Sequence, residues 1–435
     1  MSVDIQLSRA TSPRLHPQSM RRRLLSAARP GNAGIVYALA ILVAVFTISS
    51  AAKGGSNYLS AVNIGNVLDQ STSAGILVPF MTVVLISGRF DLSVGSVGGF
   101  AAVVSLDVVD QYGIWAAAVL AVGCGLGFGL INGVIVEYLK VNPFVVTLGT
   151  MTAVSGLTLV VTGGNSVMAT QPGAIAQMNA LSSAFLTANL TLILAIVVLA
   201  YALLLAFRRT RTDGAGNWTP VLVAAAAGAA LAVVAFTVPV TVHWTRPVWY
   251  MLLLTLVVWV VLRFTVVGRR LYAVGGNPEA ARLSGIAVRR YRLVAFMLSG
   301  AAAGFVGLLF AARLSAVNPD ALSGLELTVI AGAILGGTSL FGGSGSVLLS
   351  LVGTVFLYAI ADGFNILNLG SNYQDLIQGM ILIAAAATYT AKARTRRTTT
   401  RAADKPPVMS AGAETAVTAE GSPADPISED SAGNR

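Results

Sequence analysis

The chain has 435 residues, 55% of them hydrophobic and only 11% charged, with a net charge of +10. A soluble domain carries about 25% charged residues, so a soluble globular protein is excluded. The single cysteine, Cys124, excludes an intrachain disulfide, and basic residues that cluster between apolar spans point to membrane orientation rather than to nucleic acid.

Residues 1–34 are polar, carry Arg21-Arg22-Arg23, and are predicted to be a disordered basic cytoplasmic tail. They lack the short apolar core and small-residue cleavage site of a removed signal peptide. Stretches near the ~20 residues needed to cross a bilayer follow. The first four are Ile35–Ala51, Ile64–Ser87, Leu92–Val109 and, beyond a turn at Asp110–Gly113, Ile114–Val136. A fifth, Pro143–Thr162, is capped by Asn142 with proline at the first helical position. Gly163–Thr187 reads as a polar extracytoplasmic segment. Spans six to nine are Ala188–Phe207, Thr219–Val240, Pro247–Val267 and Leu293–Ala312. The tenth, Leu325–Leu335, is short; the eleventh is Val347–Ala361 and the twelfth about Tyr373–Ala391. The tail 392–435 is basic, then rich in Pro, Ala, Ser and Thr, and is predicted to be disordered.

Twelve spans with both termini inside leave twelve Lys/Arg in inside loops against three in outside segments, as the positive-inside rule requires. Spans ten and eleven have an alternative reading as one re-entrant hairpin, which would put the basic C-terminus outside. The expected fold is an all-α polytopic bundle of about 12 spans (10–12), with a permease core over 35–391.

The loop after span eight holds a helix with its own start and stop. Asn277 is a good N-cap, Pro278 suits the first position, and Glu279 complements the helix dipole. Ala280, Ala281, Arg282 and Leu283 favour helix, and Gly285 suits the left-handed position beyond its end. A helix of about two turns is marginal alone. It reads as a docking element for a soluble partner, or as an interfacial helix held on lipid headgroups by Arg289, Arg290 and Arg292.

Other polar residues carry paired readings. Asp91 or Ser93 can cap span three, with Gly95 behind them, and Arg89 reads as an inside-facing cation. Asn132, Asp69, Asp362 and Asn365 lie in or beside spans; intramembrane polar groups are functional candidates, and helix–helix glue is the competing account. Gly336–Ser346 is either broken-helix backbone lining a pathway, with Thr338 and Ser339 offering hydrogen bonds, or a tight turn where glycines pack closely. The series Gly123, Gly125, Gly127, Gly129 and Gly133 reads as a packing face. No phosphate-binding Gly-x-x-x-x-Gly-Lys-Ser/Thr loop occurs, and neither a Ser-His pair nor a metal-ligand cluster falls in the spans.

Four blocks occur in one order: Asp91-Leu92-Ser93-Val94-Gly95-Ser96; Ile131-Asn132-Gly133 with Pro143–Thr150; Gly268–Asn277 continuing through Glu279–Ile286; and Leu335–Leu340 with Gly342-Gly343. With them the chain resembles the membrane permease subunits of bacterial ATP-binding-cassette importers for monosaccharides, the ribose/xylose permease family. Spans six and seven make it similar to the longer xylose-type members. The resemblance implies a transport subunit of the bacterial cytoplasmic (inner) membrane, not an enzyme. It binds no cofactor itself, with ATP and Mg on a partner ATPase subunit. The implied partners are that ATPase, an extracytoplasmic sugar-binding protein, a second copy of the chain and membrane lipid. The implied cargo is a pentose such as D-xylose. Glu279, Ala280, Ala281, Arg282, Leu283 and Gly285 then form the helix that contacts the ATPase. Asn132, Thr338, Ser339, Asp362 and Asn365 are candidates for the pathway, and Asp91, Ser93 and Gly95 form a structural or gating corner. The family usually has a small or apolar residue where this chain has Arg89, so Arg89-Phe90 is a departure from its pattern. Two rivals stand beside this reading: a permease of the same architecture for branched-chain amino acids or another small solute, and an ion-coupled secondary transporter.

Overall fold

The computed structural model describes residues 30–53, 57–189, 219–237 and 241–367, with separate positions between 192 and 202 and between 376 and 383. Most of the sixth and twelfth predicted spans, and nearly all of both tails, lie outside the described residues.

The first helix, α1 (Pro30–Ala52), begins inside the segment assigned to the N-terminal tail. The second predicted span is not one helix. It is α2 (Ala61–Gln70) and α3 (Thr72–Ile86), bent by 53° at Ser71. Asp69, Gln70, Ser71 and Thr72 supply the polar interruption: the Ser71 hydroxyl donates to the Leu68 carbonyl and the Thr72 hydroxyl to that of Asp69. All of α3 is buried except Ser73 and Phe80, so α3 is the central helix, apolar around almost its whole circumference.

The third and fourth spans appear as α4 (Val94–Glu137), interrupted at Gly113, whose φ of 76° and ψ of 177° no helix contains. A straight helix of that length would measure about 66 Å. Instead the Asn132 amide donates to the Ser93 hydroxyl at 2.9 Å, so the two arms fold back as a hairpin. Next come α5 (Pro143–Thr162), β1 (Val167–Met168), α6 (Pro172–Ser182) and β2 (Phe185–Asn189). They are followed by α7 (Thr219–Thr237), β3 (Thr241–Thr245) and α8 (Arg246–Phe264).

Beyond α8 the segment 266–276 is a helix in its own right, α9 (Val266–Gly276), and it leads into the short helix α10 (Pro278–Leu283). The remaining elements are α11 (Val288–Leu314), β4 (Ala316–Val317), α12 (Leu325–Leu335) and α13 (Val347–Ile366).

The fold is mostly helical, as expected of a polytopic bundle, with two short antiparallel ribbons added to it. β1 pairs with β4 through Val167↔Val317, and β2 pairs antiparallel with β3 from Phe185↔Thr245 to Asn189↔Thr241. The second ribbon includes Ala188 and Asn189, so the predicted sixth span does not start as a helix there. Such pairing joins residues tens of positions apart and leaves no local helical or turn signature. Among the described residues six helices are long and apolar enough to cross a membrane, or seven when α2 and α3 count as one bent span.

The hairpin α4 and α11 form the most extensive helix pair, and glycine is the reason. A Cβ on Gly125 would meet Gly300, one on Gly129 would meet Phe296, and one on Gly133 would meet Leu293; Gly304 and Gly307 reciprocate against Ala121 and Gly98. Small residues let helix backbones approach where no hydrophobic force drives them together. Gly123 and Gly127 have open space beside them, so only three of the five members of the predicted series, Gly125, Gly129 and Gly133, belong to the packing face.

Candidate functional site

Helix α10 is built as its sequence predicts, although at six residues it is nearer one and a half turns. The Asn277 side-chain oxygen accepts from the amides of Glu279 (3.1 Å) and Ala280 (3.0 Å). At the other end Gly285 takes φ +79°, Gly285 N–H donates to Arg282 and Ile286 N–H to Ala281. That pair of bonds is the Schellman stop. Ala281 is buried at 4% exposure while Leu283 stands 81% exposed, with Glu279, Ala280 and Arg282 also on the open side. One small side chain therefore anchors the helix, and a charged pair flanks an apolar knob.

Beneath α10 lies a cleft of about 490 Å³. Arg89, Lys140, Arg282, Arg289 and Arg292 line it, against Glu137 and Glu279. Glu137, at the end of α4, is buried and bridges two of these cations. Arg89 Nε lies 2.6 Å from one carboxylate oxygen and Arg292 Nη1 lies 3.7 Å from the other. Arg292 Nε also donates to the Ser87 carbonyl at 3.1 Å. The triad thus ties the ends of α3, α4 and α11 together under the short helix. Arg89 is therefore a bonded strut as well as an inside-facing cation. The predicted fourth span stops at Val136, one residue short of Glu137; the available signal was a lone acid at a helix end where basic residues prevail.

The Asp91–Ser93–Gly95 corner also comes together, with a different role for its caps. Asp91 Oδ1 accepts from the Ser93 amide (3.1 Å) and hydroxyl (2.6 Å), and Ser93 sits at the cap position without capping α4 through its side chain. The Ser93 hydroxyl receives Asn132, whose oxygen accepts from Thr150 at 2.6 Å. Gly95 leaves room for the Glu326 carboxylate and the Leu322 carbonyl.

The five pathway candidates fall in three separate places. Asn132 belongs to the corner just described. Thr338 and Ser350 share a hydrogen bond of 3.0 Å, and the Ser339 hydroxyl accepts from the Phe341 amide at 3.1 Å. Asp362 accepts from Asn63 at 2.9 Å, and Asn365 is exposed. Asp69 is ion-paired with Arg313 at 2.6 Å. The Gly336–Ser346 segment is a close-packed turn: Gly342 and Gly343 have positive φ, and the Gly343 amide donates to the Ile86 carbonyl at 2.9 Å.

The described residues thus form a helical membrane bundle that displays a doubly stopped helix over a charged cleft. The protein family described as "Branched-chain amino acid transport system / permease component" matches residues 63–386, and the chain belongs to that family. It is similar to the xylose transport system permease protein XylH of Escherichia coli (strain K12), 33% identical over 367 residues covering 81% of this chain and 91% of the relative. The XylH of Haemophilus influenzae is 32% identical, covering 81% and 94%. The ribose import permease protein RbsC of E. coli K12 is 30% identical, covering 80% and 91%. No solved structure matches. The chain is thus a permease subunit of an ATP-binding-cassette system in the cytoplasmic membrane, and not itself an enzyme.

Proposed function

We propose that this chain translocates a monosaccharide, a pentose such as D-xylose, inward across the cytoplasmic membrane. It does so as a homodimer carrying two ATPase subunits, with sugar delivered by an extracytoplasmic binding protein. Twelve spans cross the lipid between cytoplasmic tails 1–34 and 392–435. ATP binding moves the ATPase subunits, Glu279, Ala280, Ala281, Arg282, Leu283 and Gly285 carry that motion as the coupling helix, and the spans alternate access. Asp91, Ser93 and Gly95 form the corner that moves with it. Xylose and ribose relatives over four fifths of the chain support the sugar.

The observation that carries the coupling role is α10 itself, with Ala281 seated and Leu283 displayed beside Glu279 and Arg282. Docking is tested with the double variant Glu279→Lys/Leu283→Asp in vesicles that hold the ATPase and the binding protein. The expected result is loss of ATP-driven pentose uptake and of ATPase capture, with the permease still in the membrane. Undiminished uptake, or uptake that needs no ATPase and stops when an ion gradient is collapsed, overturns the reading.

A further inference from the structure

A second cavity, of about 710 Å³, lies away from α10. Arg313, at the far end of α11 from α10, lines it, as do Ser323 and Gly324, just before α12 begins. Helix α12 has 11 residues, about 16 Å of rise, roughly half the ~30 Å hydrocarbon core. Its last residues meet the start of α13, because Gly336 abuts Leu349 and Ser350. That start lies on the α10 face, where Gly343 bonds to Ile86. The beginning of α12 therefore lies near mid-membrane, and the segment 318–324 descends to it from the opposite face, with Pro319 against Gly99 and Leu322 against Gly98 and Gly95. Irregular backbone at that depth is tolerated where it lines a cavity, and transporter sites lie near the midplane at broken helices.

The lining has a definite chemistry. Gln70 stands at the α2/α3 break, Ser73 is the one polar residue that the central helix leaves open, and Ser323 immediately precedes Gly324 at the start of α12. With the Tyr358 hydroxyl they present four neutral hydrogen-bonding side chains that make no hydrogen bond to the described residues. Phe310 and Tyr358 add ring faces, whose negative quadrupole suits polarised C–H groups. Among the described lining residues the one charge, Arg313, is already committed to Asp69. Its described lining is rich in neutral donor–acceptor groups and carries no unpaired charge, which suits a neutral polyhydroxylated solute better than a zwitterion.

We infer that this cavity is the permease's own sugar site, a half-way station that accepts a monosaccharide from the face opposite α10. The inference rests on the importer reading above and adds the station, its residues and its preference for a polyol over an amino acid.

The test uses the full permease in vesicles with its ATPase and binding protein. Gln70→Ala and Tyr358→Phe should each lower uptake of D-xylose or D-ribose about fivefold, the weight of one hydrogen bond, with ATPase capture unchanged. In a Cys124→Ala background, Ser323→Cys should react with a membrane-impermeant thiol reagent from the face opposite α10. D-xylose or D-ribose should slow that reaction at least threefold, and L-leucine should not. If the unaltered complex imports pentose while both polar variants do so within twofold of it and Ser323→Cys is unprotected, the cavity assignment fails alone. Protection by L-leucine instead of the sugars overturns the solute class. If the unaltered complex imports no monosaccharide, the importer reading fails first.

Discussion

Gly125 and Gly127 lie two positions apart on one helix, and substitution by alanine should move stability in opposite directions. A Cβ on Gly125 would stand 2.9 Å from the Gly304 nitrogen and still closer to the Gly300 carbonyl oxygen. Ordinary contact is about 3.5 Å or more, so the arm of α4 and α11 must part by at least ~0.6 Å, a gap that forfeits a quarter or more of each dispersion well along the seam. Overpacking of this kind costs about 1–3 kcal/mol. The same Cβ on Gly127 meets nothing within 4 Å. There the higher helix propensity of alanine acts alone, worth roughly 0.5–1 kcal/mol in favour of the folded state. Because that gain is common to both variants, the difference between them isolates the packing term at about 1–3 kcal/mol. At about 2–4 °C per kcal/mol, Gly125→Ala should melt several degrees below Gly127→Ala when the detergent-solubilised protein is heated and its remaining monodisperse fraction measured. Equal melting of the two variants would refute the claim that glycine spacing, rather than glycine content, seats this helix pair.

Glu137→Gln should be severe. It leaves Arg292 buried without its counter-charge, and breaking a buried pair typically costs about 3–5 kcal/mol; full thermal stability together with undiminished uptake would contradict the strut role. Asn277→Ala removes both side-chain bonds at the start of α10, a loss of about 1 kcal/mol. Weaker ATPase capture with unchanged bundle stability is expected, and capture equal to the unaltered protein would count against capping. Gly343→Ala must hold a left-handed backbone, at about 1–2 kcal/mol, and also press on Gly276; a variant as stable as the parent, judged by detergent melting, would show that this junction yields. Asp110 sits at the turn of the α4 hairpin, clear of its apolar arms. Hydrogen bonds from the Thr170 hydroxyl first, then from the Thr170 amide, hold its carboxyl below the usual range. A depressed folded value stabilises above the unfolded value of about 4 and is lost as pH falls through the folded one. Amide exchange at Thr170 and Gln171 should therefore quicken below about pH 4 relative to the intrinsic rate, and a flat profile from pH 6 to 3 would refute the tether.

What was legible in the sequence was local. Asn277 and Gly285 punctuate α10 through bonds to residues two or three positions away, and Pro278 through its fixed φ, so its limits were readable before any fold was known. Gly324 and Gly336 bracket α12 in the same way, and its predicted bounds coincide with those observed. The 3.6-residue period could have divided the glycine series, since positions two apart point to nearly opposite faces. The polar run Asp69–Thr72 carried the break between α2 and α3 but was absorbed into an apolar window. The Arg89–Glu137–Arg292 triad, the β2–β3 ribbon and the cavity between α3, α11 and α12 join residues far apart in the chain. No spacing rule reaches them.

The placement of glycine also bears on how motion at α10 would be transmitted. A helix of six residues has no stability of its own to resist a push, so what it passes on depends on its base. That base is the end of α9. Gly275 leaves no room for a side chain against the Ile86 carbonyl and the Gly343 amide, Gly342 lies against Gly88, and the Tyr272 hydroxyl donates to the Gly345 carbonyl at 2.9 Å. Three segments, from the ends of α3 and α9 and the approach to α13, therefore meet backbone to backbone. Side chains absorb displacement by changing rotamer; backbones in direct contact have no such slack. On the other side of α10, Arg292 couples the start of α11 to Ser87 and Glu137. A tilt of the short helix must consequently shift the ends of α3, α4, α11 and α13 together. Those ends belong to helices that line the cavity beside Arg313 and Tyr358 or pack against its walls. Coupling between α10 and that cavity thus requires no dedicated pathway of side chains, only the rigidity that close glycine contacts confer.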